Sequence, residues 1–331
     1  MNSEILATAF QEAGHDVHLV TWSEDNTSRV FPFQVIRNPE IFNLLQEHYW
    51  ADMVFENNPC LRLAWPAVFF GRPTVVALNT WVSRIDGRLG IQDRFKLLWL
   101  KRARGVIAVS NAIRKHCWPE ATVIGNPYAA KLFKIKPTIK KTVPFVFLGR
   151  LVSDKGADQA IQVIELLRGF LETQLPPENP LLTIIGEGPE MKKLKRLVQD
   201  LKLQRIVCFE GALKGEPLVD CLNKHRFILV PSLWEEPFGN VVLEGMACGC
   251  IPIASNGGGL PDAVGEAGLT FERGNLNDML VCIRNIMSNP TKEKKLRDAA
   301  SAHLEKHLPE IVSQSYLDLI KTSVAGRLEY Q

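Results

Sequence analysis

The chain has 331 residues, 46% of them hydrophobic and 23% charged, with a formal net charge of +3. That length suits two ordinary domains rather than one, and the composition excludes a mainly disordered chain. Near-neutral charge argues against a general nucleic-acid binder, and no stretch approaches the roughly 18 consecutive apolar residues of a membrane span or the basic-then-apolar start of a secretory signal, so a cytoplasmic protein is expected.

Strand and helix patterns alternate along the chain. Residues 4–14 read as an amphipathic helix ending at Gly14, and residues 15–21 as a strand. Strands are expected at 53–55, 74–78 and 106–109, followed by Ser110, whose hydroxyl can cap the next helix. Residues 131–143 are basic and contain Pro137 without a helical period, which reads as a linker. Beyond it, strands at 144–148, 181–185, 206–209, 227–230 and 251–254 interleave with helices at 157–170, 189–201 and 239–248. Closing helices are expected at 276–287, 291–303 and 309–322. The pattern predicts an α/β chain of two doubly wound, Rossmann-like domains facing across a cleft. Their expected bounds are 1–137 and 138–308, with 309–331 a terminal helix returning to the first domain. The chain opens in a helix where such a domain opens in a strand, so the first domain is expected to lack its opening strand.

The seven cysteines are scattered without a C-x-x-C pair, and neither D-x-D nor H-E-x-x-H occurs, so reduced thiols and no metal site are expected. The richest segment is Pro231-Ser-Leu-Trp-Glu-Glu-Pro-Phe-Gly-Asn-Val-Val-Leu-Glu-Gly-Met-Ala-Cys-Gly249. A strand ends at Pro231, Glu235 and Glu236 lie on the loop, and Pro237 is expected to open a helix. Free amides at Phe238, Gly239 and Asn240, with the helix dipole, favour an anion such as a diphosphate. Glu244 would then lie about two turns from Glu236, and two carboxylates at one helix mouth can hold two hydroxyl-rich groups. On spacing alone, Glu235 and Glu236 serve equally well as charges stabilising the helix N-terminus. In the loop Gly149-Arg-Leu-Val-Ser-Asp-Lys-Gly156, Arg150 offers a fork and Lys155 a point charge, which suit a diphosphate or are merely two surface cations. Gly186-Glu-Gly-Pro189 lacks the third glycine of a dinucleotide fingerprint, and Ser255-Asn-Gly-Gly-Gly-Leu-Pro261 is a second glycine-rich loop.

In this order, Gly149-Arg150…Lys155-Gly156, the Gly186 turn, Glu236 and Glu244 with seven residues between them, and the Gly258-Gly259-Leu-Pro261 loop resemble glycosyltransferase family four. Ser110 and Asn126-Pro-Tyr128 resemble further positions of that family, with Pro127 replacing a usual glycine. The resemblance implies a GT-B fold and retaining, metal-independent sugar transfer from a nucleotide sugar, with the acceptor on the side of the first domain. It implies that Arg150 and Lys155 neutralise the departing diphosphate, beside Gly149. Glu236 would hold hydroxyls of the donor sugar with amides at Phe238, Gly239, Asn240 and Val241. Glu244 would bind the ribose diol, and the backbone up to Leu213 would face the base. Asn79 stands where the family commonly has His; it can donate to a sugar oxygen but cannot titrate. UDP-glucose is the first-choice donor and GDP-mannose the second, with a polysaccharide or lipid-linked sugar as acceptor, as in envelope-polysaccharide glucosyltransferases.

The rival to an active transferase is a catalytically impaired, sugar-nucleotide-binding accessory subunit, suggested by the helical start and Asn79. An epimerase would need further acidic and His residues, and a nicotinamide dehydrogenase a full G-x-G-x-x-G. Residues 94–104 mix large apolar residues with Arg94, Lys96, Lys101, Arg102 and Arg104, and residues 1–134 hold 15 Lys+Arg against 12 Asp+Glu. Two readings stay open: Leu97, Leu98, Trp99 and Leu100 pack inward beneath solvated cations, or the five cations contact anionic headgroups at the inner face of the plasma membrane.

Overall fold

The computed structural model describes residues 2–24, 30–82, 88–172 and 180–325, which divide into two compact units, Met1–Pro127 with Pro309–Gln331, and Tyr128–Leu308. The first unit runs α1 (Asn2–Glu12), β1 (His18–Thr21), β2 (Gln34–Arg37), α2 (Ile41–Trp50), β3 (Val54–Asn57), α3 (Leu61–Phe69), β4 (Thr74–Leu78), α4 (Ile91–Leu100), β5 (Gly105–Ala108), α5 (Asn111–Cys117) and β6 (Thr122–Val123). β1 and β2 pair in parallel, and the other strands form a parallel sheet in the order β3-β4-β5-β6. β4 reads Thr-Val-Val-Ala-Leu and is buried throughout, as a strand covered on both faces must be. Val75, Ala77 and Ile107 on one face pack with Leu6 and Phe10 of α1. The Ser110 hydroxyl accepts from the Ile113 amide at 3.2 Å and caps α5.

The second unit contains β7 (Val143–Leu148), a 3-10 turn (Ser153–Lys155), α6 (Ala157–Glu172), β8 (Leu182–Ile185), α7 (Met191–Asp200), β9 (Val207–Gly211), α8 (Gly215–Asn223), β10 (His225–Val230), α9 (Asn240–Ala247), β11 (Ile251–Ser255), α10 (Leu260–Val264), β12 (Leu269–Phe271), α11 (Leu276–Met287) and α12 (Pro290–Glu305). The closing helix α13 (Pro309–Ala325) belongs to the first unit, where Val312, Tyr316 and Leu317 join its core. The six strands are all parallel, in the order β12-β11-β10-β7-β8-β9. Counted from β7, this is the 3-2-1-4-5-6 order of a doubly wound sheet, and it reverses between β7 and β10. Phe145 and Phe227, in register across these two strands, stack at 5.6 Å in the core. Ligands of such sheets bind beyond the carboxyl ends of the strands at the reversal.

Residues 128–137 lie in the second unit, and 131–143 are fastened to it rather than spanning open space. The Lys136 amide donates to Asn223 Oδ1 at 2.8 Å, and Asn223 Nδ2 donates back to the Lys134 carbonyl at 3.0 Å. Lys141 Nζ donates to the carbonyls of His225 at 2.8 Å and Cys248 at 3.0 Å, and its burial pushes its pKa down. Two of the lysines that read as linker charge are engaged in the second unit, Lys141 by these carbonyls and Lys136 by the carboxylates of Glu216 and Asp220. Helices α2, α3 and α8 and the short strands β2, β6 and β12 have no counterpart in the sequence expectation.

Candidate active site

Three loops converge where the sheet reverses, and their approach is set by backbone. Gly156 takes φ +72°, and a Cβ there would sit 1.9 Å from the Pro231 carbonyl oxygen, so only glycine lets the loop after β7 lie against the end of β10. The Asp154 carbonyl then accepts the amides of Leu233 (2.8 Å) and Trp234 (3.1 Å) and the Ser232 hydroxyl (3.2 Å). The third loop closes on the second: a Cβ at Gly258, φ +59°, would lie 2.3 Å from the Glu236 carbonyl oxygen, which accepts the Gly259 amide at 2.7 Å.

This framework brings Lys155 and Glu236 together. Glu236 Oε1 accepts from Lys155 Nζ in a partly buried ion pair and from the Ser232 hydroxyl at 2.8 Å. Among the described residues its Oε2 receives no donor. Ser232 is itself held, because its carbonyl accepts the Ser255 hydroxyl at 2.7 Å. Arg150 follows Gly149 at the end of β7; it is exposed, and its guanidinium has no partner among the described residues. Glu235 faces away from this pairing and forms an ion pair with Arg273 at 3.0 Å.

Pro237 does not open the helix. Gly239, at φ +106°, interrupts the chain, and α9 begins at Asn240. Glu244 is therefore one turn into α9 rather than two turns from its start. The amides of Phe238, Gly239 and Val241 have no acceptor among the described residues. Phe238 is buried, with its ring 5.4 Å from His307. Glu244 is largely enclosed and finds no compensating donor among the described residues, so desolvation pushes its pKa up to about 7. Gly245 draws α9 onto β10, since a Cβ there would come within 2.8 Å of Ile228 Cδ1.

The Gly186 turn has a mechanical role. Virtual Cβ atoms at Gly186 and Gly188 would lie 1.8 Å from the Gly149 carbonyl oxygen and 2.3 Å from that of Leu151, so these glycines seat the loop that carries Arg150. Leu213 lies two residues past β9, on the far side of β8 from β7. Asn79 belongs to the first unit, past β4; its amide N–H donates to Asn58 Oδ1 at 2.8 Å and its side chain to Asn57 Oδ1. Glu236, Lys155, Arg150, Gly149, Glu244 and residues 238–241 are thus gathered in one unit, with Asn79 in the other. Sequence reasoning missed Ser232, Ser255 and Arg273; Ser232 lies inside the richest segment, but nothing in its spacing shows that its hydroxyl turns to Glu236. Among the described residues, no helix is long and apolar enough to cross a membrane.

The sequence profile of glycosyl transferases group 1 matches residues 130–303, wholly within the second unit. The chain is 30% identical over 189 residues to a glycogen synthase of Mycobacterium tuberculosis, covering 56% of this chain and 44% of that protein. It is 25% identical over 291 residues to a D-inositol 3-phosphate glycosyltransferase of Acidothermus cellulolyticus, covering 77% and 61%. It thus spans about half the length of the curated relatives it matches. Anabaena Alr3699/HepE, solved with UDP and glucose, superposes with a TM-score of 0.78 at 19% identity, over 97% of this chain and 95% of that one. Sucrose-phosphate synthase of Thermosynechococcus elongatus superposes with a TM-score of 0.74 at 20% identity, over 97% and 92%. With the profile matching more than half of the chain and the doubly wound parallel sheets shared with these structures, the chain belongs to the group 1 glycosyl transferases, family four, of GT-B fold.

Proposed function

We propose that the protein is a retaining hexosyltransferase that needs no metal and moves glucose from UDP-glucose to a polysaccharide or lipid-linked sugar, in the cytoplasm. The observation that carries this reading is the convergence of Lys155, Ser232 and Glu236 at the sheet reversal, beside unpaired Arg150 and the acceptor-free amides before α9. Arg150, Lys155 and those amides would meet the charge that develops on the departing diphosphate; fixed cations and dipoles do this without reorganisation. Glu236 Oε2 would accept donor-sugar hydroxyls, Glu244 the ribose diol, and the backbone at Leu213 would border the base, with Asn79 donating to a sugar oxygen. In transfer, the bond from the anomeric carbon to the diphosphate oxygen breaks and its electron pair leaves with UDP. The acceptor hydroxyl oxygen bonds to that carbon from the same face, and its proton passes to the departing phosphate oxygen. Support for the donor comes from the Anabaena protein, which shares the fold and was solved with UDP-glucose.

The test is a panel of nucleotide sugars incubated with the chain and a chelator, followed by release of free UDP or GDP. The expected result is turnover of UDP-glucose above the other sugars, unaffected by chelation. Tight UDP-glucose binding without turnover, with and without saccharide acceptors, would favour the accessory-subunit reading instead.

A further inference from the structure

We infer that helix α4 of the first unit is a docking surface for a bilayer bearing anionic headgroups. α4 has two apolar sides. Its inner side is fixed: Leu100 is fully buried, and buried Asp93 accepts the Gly90 amide at 2.9 Å. Trp99 Nε1 donates to both oxygens of Glu56, at 2.9 and 3.1 Å. Arg102 reaches the same carboxylate at 3.0 Å and Thr74 Oγ1 at 3.2 Å, with its guanidinium 3.5 Å above the Trp99 ring. Arg102 is therefore committed to the interior and is not one of the headgroup contacts that the sequence suggested.

The outer side is a second stripe. Ile91, Phe95 and Leu98, spaced i, i+4 and i+7, are 75%, 57% and 61% exposed. Three large apolar side chains on one helical line are exposed, and none of the described residues covers them. The exposed charges on this stretch of chain are of one sign. Arg94, Lys101 and Arg104 are exposed and without an ion-pair partner among the described residues, and Lys96 is 3.9 Å from Asp93. Between Ile91 and Arg104 the sole acid is Asp93, which is buried. A polyanion alone would leave the apolar stripe wet. A second copy of the chain would set like charges against each other across a two-fold contact. An anionic lipid surface meets both halves of the pattern, since the stripe enters the acyl boundary while the cations remain at headgroup level.

None of these residues belongs to the sugar-transfer machinery, so the proposal stands apart from the donor assignment. The full chain is mixed with phosphatidylcholine vesicles with or without phosphatidylglycerol, and sedimentation is measured across a salt series. Wild type should sediment with the anionic vesicles alone and be released as salt approaches ~1 M, where screening reaches about 3 Å. Phe95→Ser with Leu98→Ser, and separately Lys101→Ser with Arg104→Ser, should each cut the bound fraction about tenfold or more at unchanged melting temperature and donor turnover. Hydrogen exchange of the wild-type chain on anionic vesicles should show new protection confined to residues 91–104. Three results would overturn the proposal: wild type remaining in the supernatant with anionic vesicles at low salt, the Phe95→Ser, Leu98→Ser variant sedimenting like wild type, or a wild-type dimer that this variant dissociates without any vesicle binding.

Discussion

The two units fix the loops at the carboxyl ends of their strands by different means. In the second unit backbone lies on backbone: Gly156 on Pro231, Gly186 on Gly149, and Gly258 on Glu236, each closer than a side chain would allow. In the first unit side chains span the gaps: Asn79 reaches Asn57 and Asn58, Asn57 reaches Ser3, and Asn58 takes the left-handed conformation at φ +68° that asparagine tolerates. Backbone contact permits one residue type and holds charged groups rigidly, whereas a side-chain bridge can be rebuilt from other polar residues. Rigidity is what a site that stabilises developing charge requires.

The sharpest test of this contrast is a pair of glycines. Gly156→Ala must drive a methyl into the Pro231 carbonyl and should destabilise by about 4 kcal/mol or abolish folding. Gly71→Ala, at φ +63° with open space around it, should lower stability by about 1 kcal/mol, which is backbone strain alone. Similar urea midpoints for the two variants would erase the distinction. Next, Arg102→Ala in the first unit leaves Glu56 buried with one cation fewer and should destabilise by about 3 kcal/mol in urea melts. Adding Glu56→Gln should restore part of that loss, because the uncompensated charge is gone; no recovery would mean that the arginine acts by packing alone.

In the second unit the rigid charges should appear in rate rather than stability. Lys155→Ala and Arg150→Ala should each reduce turnover about a hundredfold with nearly unchanged melting temperature. Glu236→Gln should also damage turnover while UDP titrates almost as in wild type. The last effect, confined to one side of the pH range, belongs to Glu244. Its pKa in the folded protein, about 7, lies above the ordinary 4.5, so between those values the folded chain holds more protons than the unfolded one. Stability contributed by this group is therefore full below pH 4.5 and declines as pH rises to about 7. Glu244→Gln should match wild type near pH 4 and exceed it at pH 8 by on the order of 2 kcal/mol, while weakening UDP binding. A difference independent of pH would show that the carboxylate is not held neutral by burial.

Legibility in the sequence follows the same division. β4, β8 and β11 are predominantly apolar and buried at every position because both of their faces are covered, and the helix α11 is found at its expected bounds of 276–287. The site loops were readable because glycines and charges stand at fixed separations wherever backbones touch. The expected bounds of 239–248 lie within one residue of α9, but Pro237 reads as its opener because proline at a first turn is a common signal, whereas the left-handed Gly239 intervenes. Arg273 was invisible because it meets Glu235 from a loop distant in sequence, and Ser232, only four residues from Glu236, because the turn that aims its hydroxyl is fixed by the loop after β7. The outer stripe of α4 was hidden by Leu97-Leu-Trp-Leu100, where four successive apolar residues do not reveal which of them turn outward.

The path of the chain has a consequence for its assembly. The second unit is an insertion: the chain enters it at Tyr128 and leaves it at Leu308, and the Tyr128 amide meets the His307 carbonyl at 3.3 Å where the two crossings run together. The host unit meanwhile waits for α13, because Tyr316 is a fully buried member of its core beside Phe55. During synthesis the guest can therefore complete its sheet while its host still lacks a wall. A chain truncated after residue 308 would carry a finished second unit tethered to an unfinished first one, and a nick before α13 would strike the host and spare the guest.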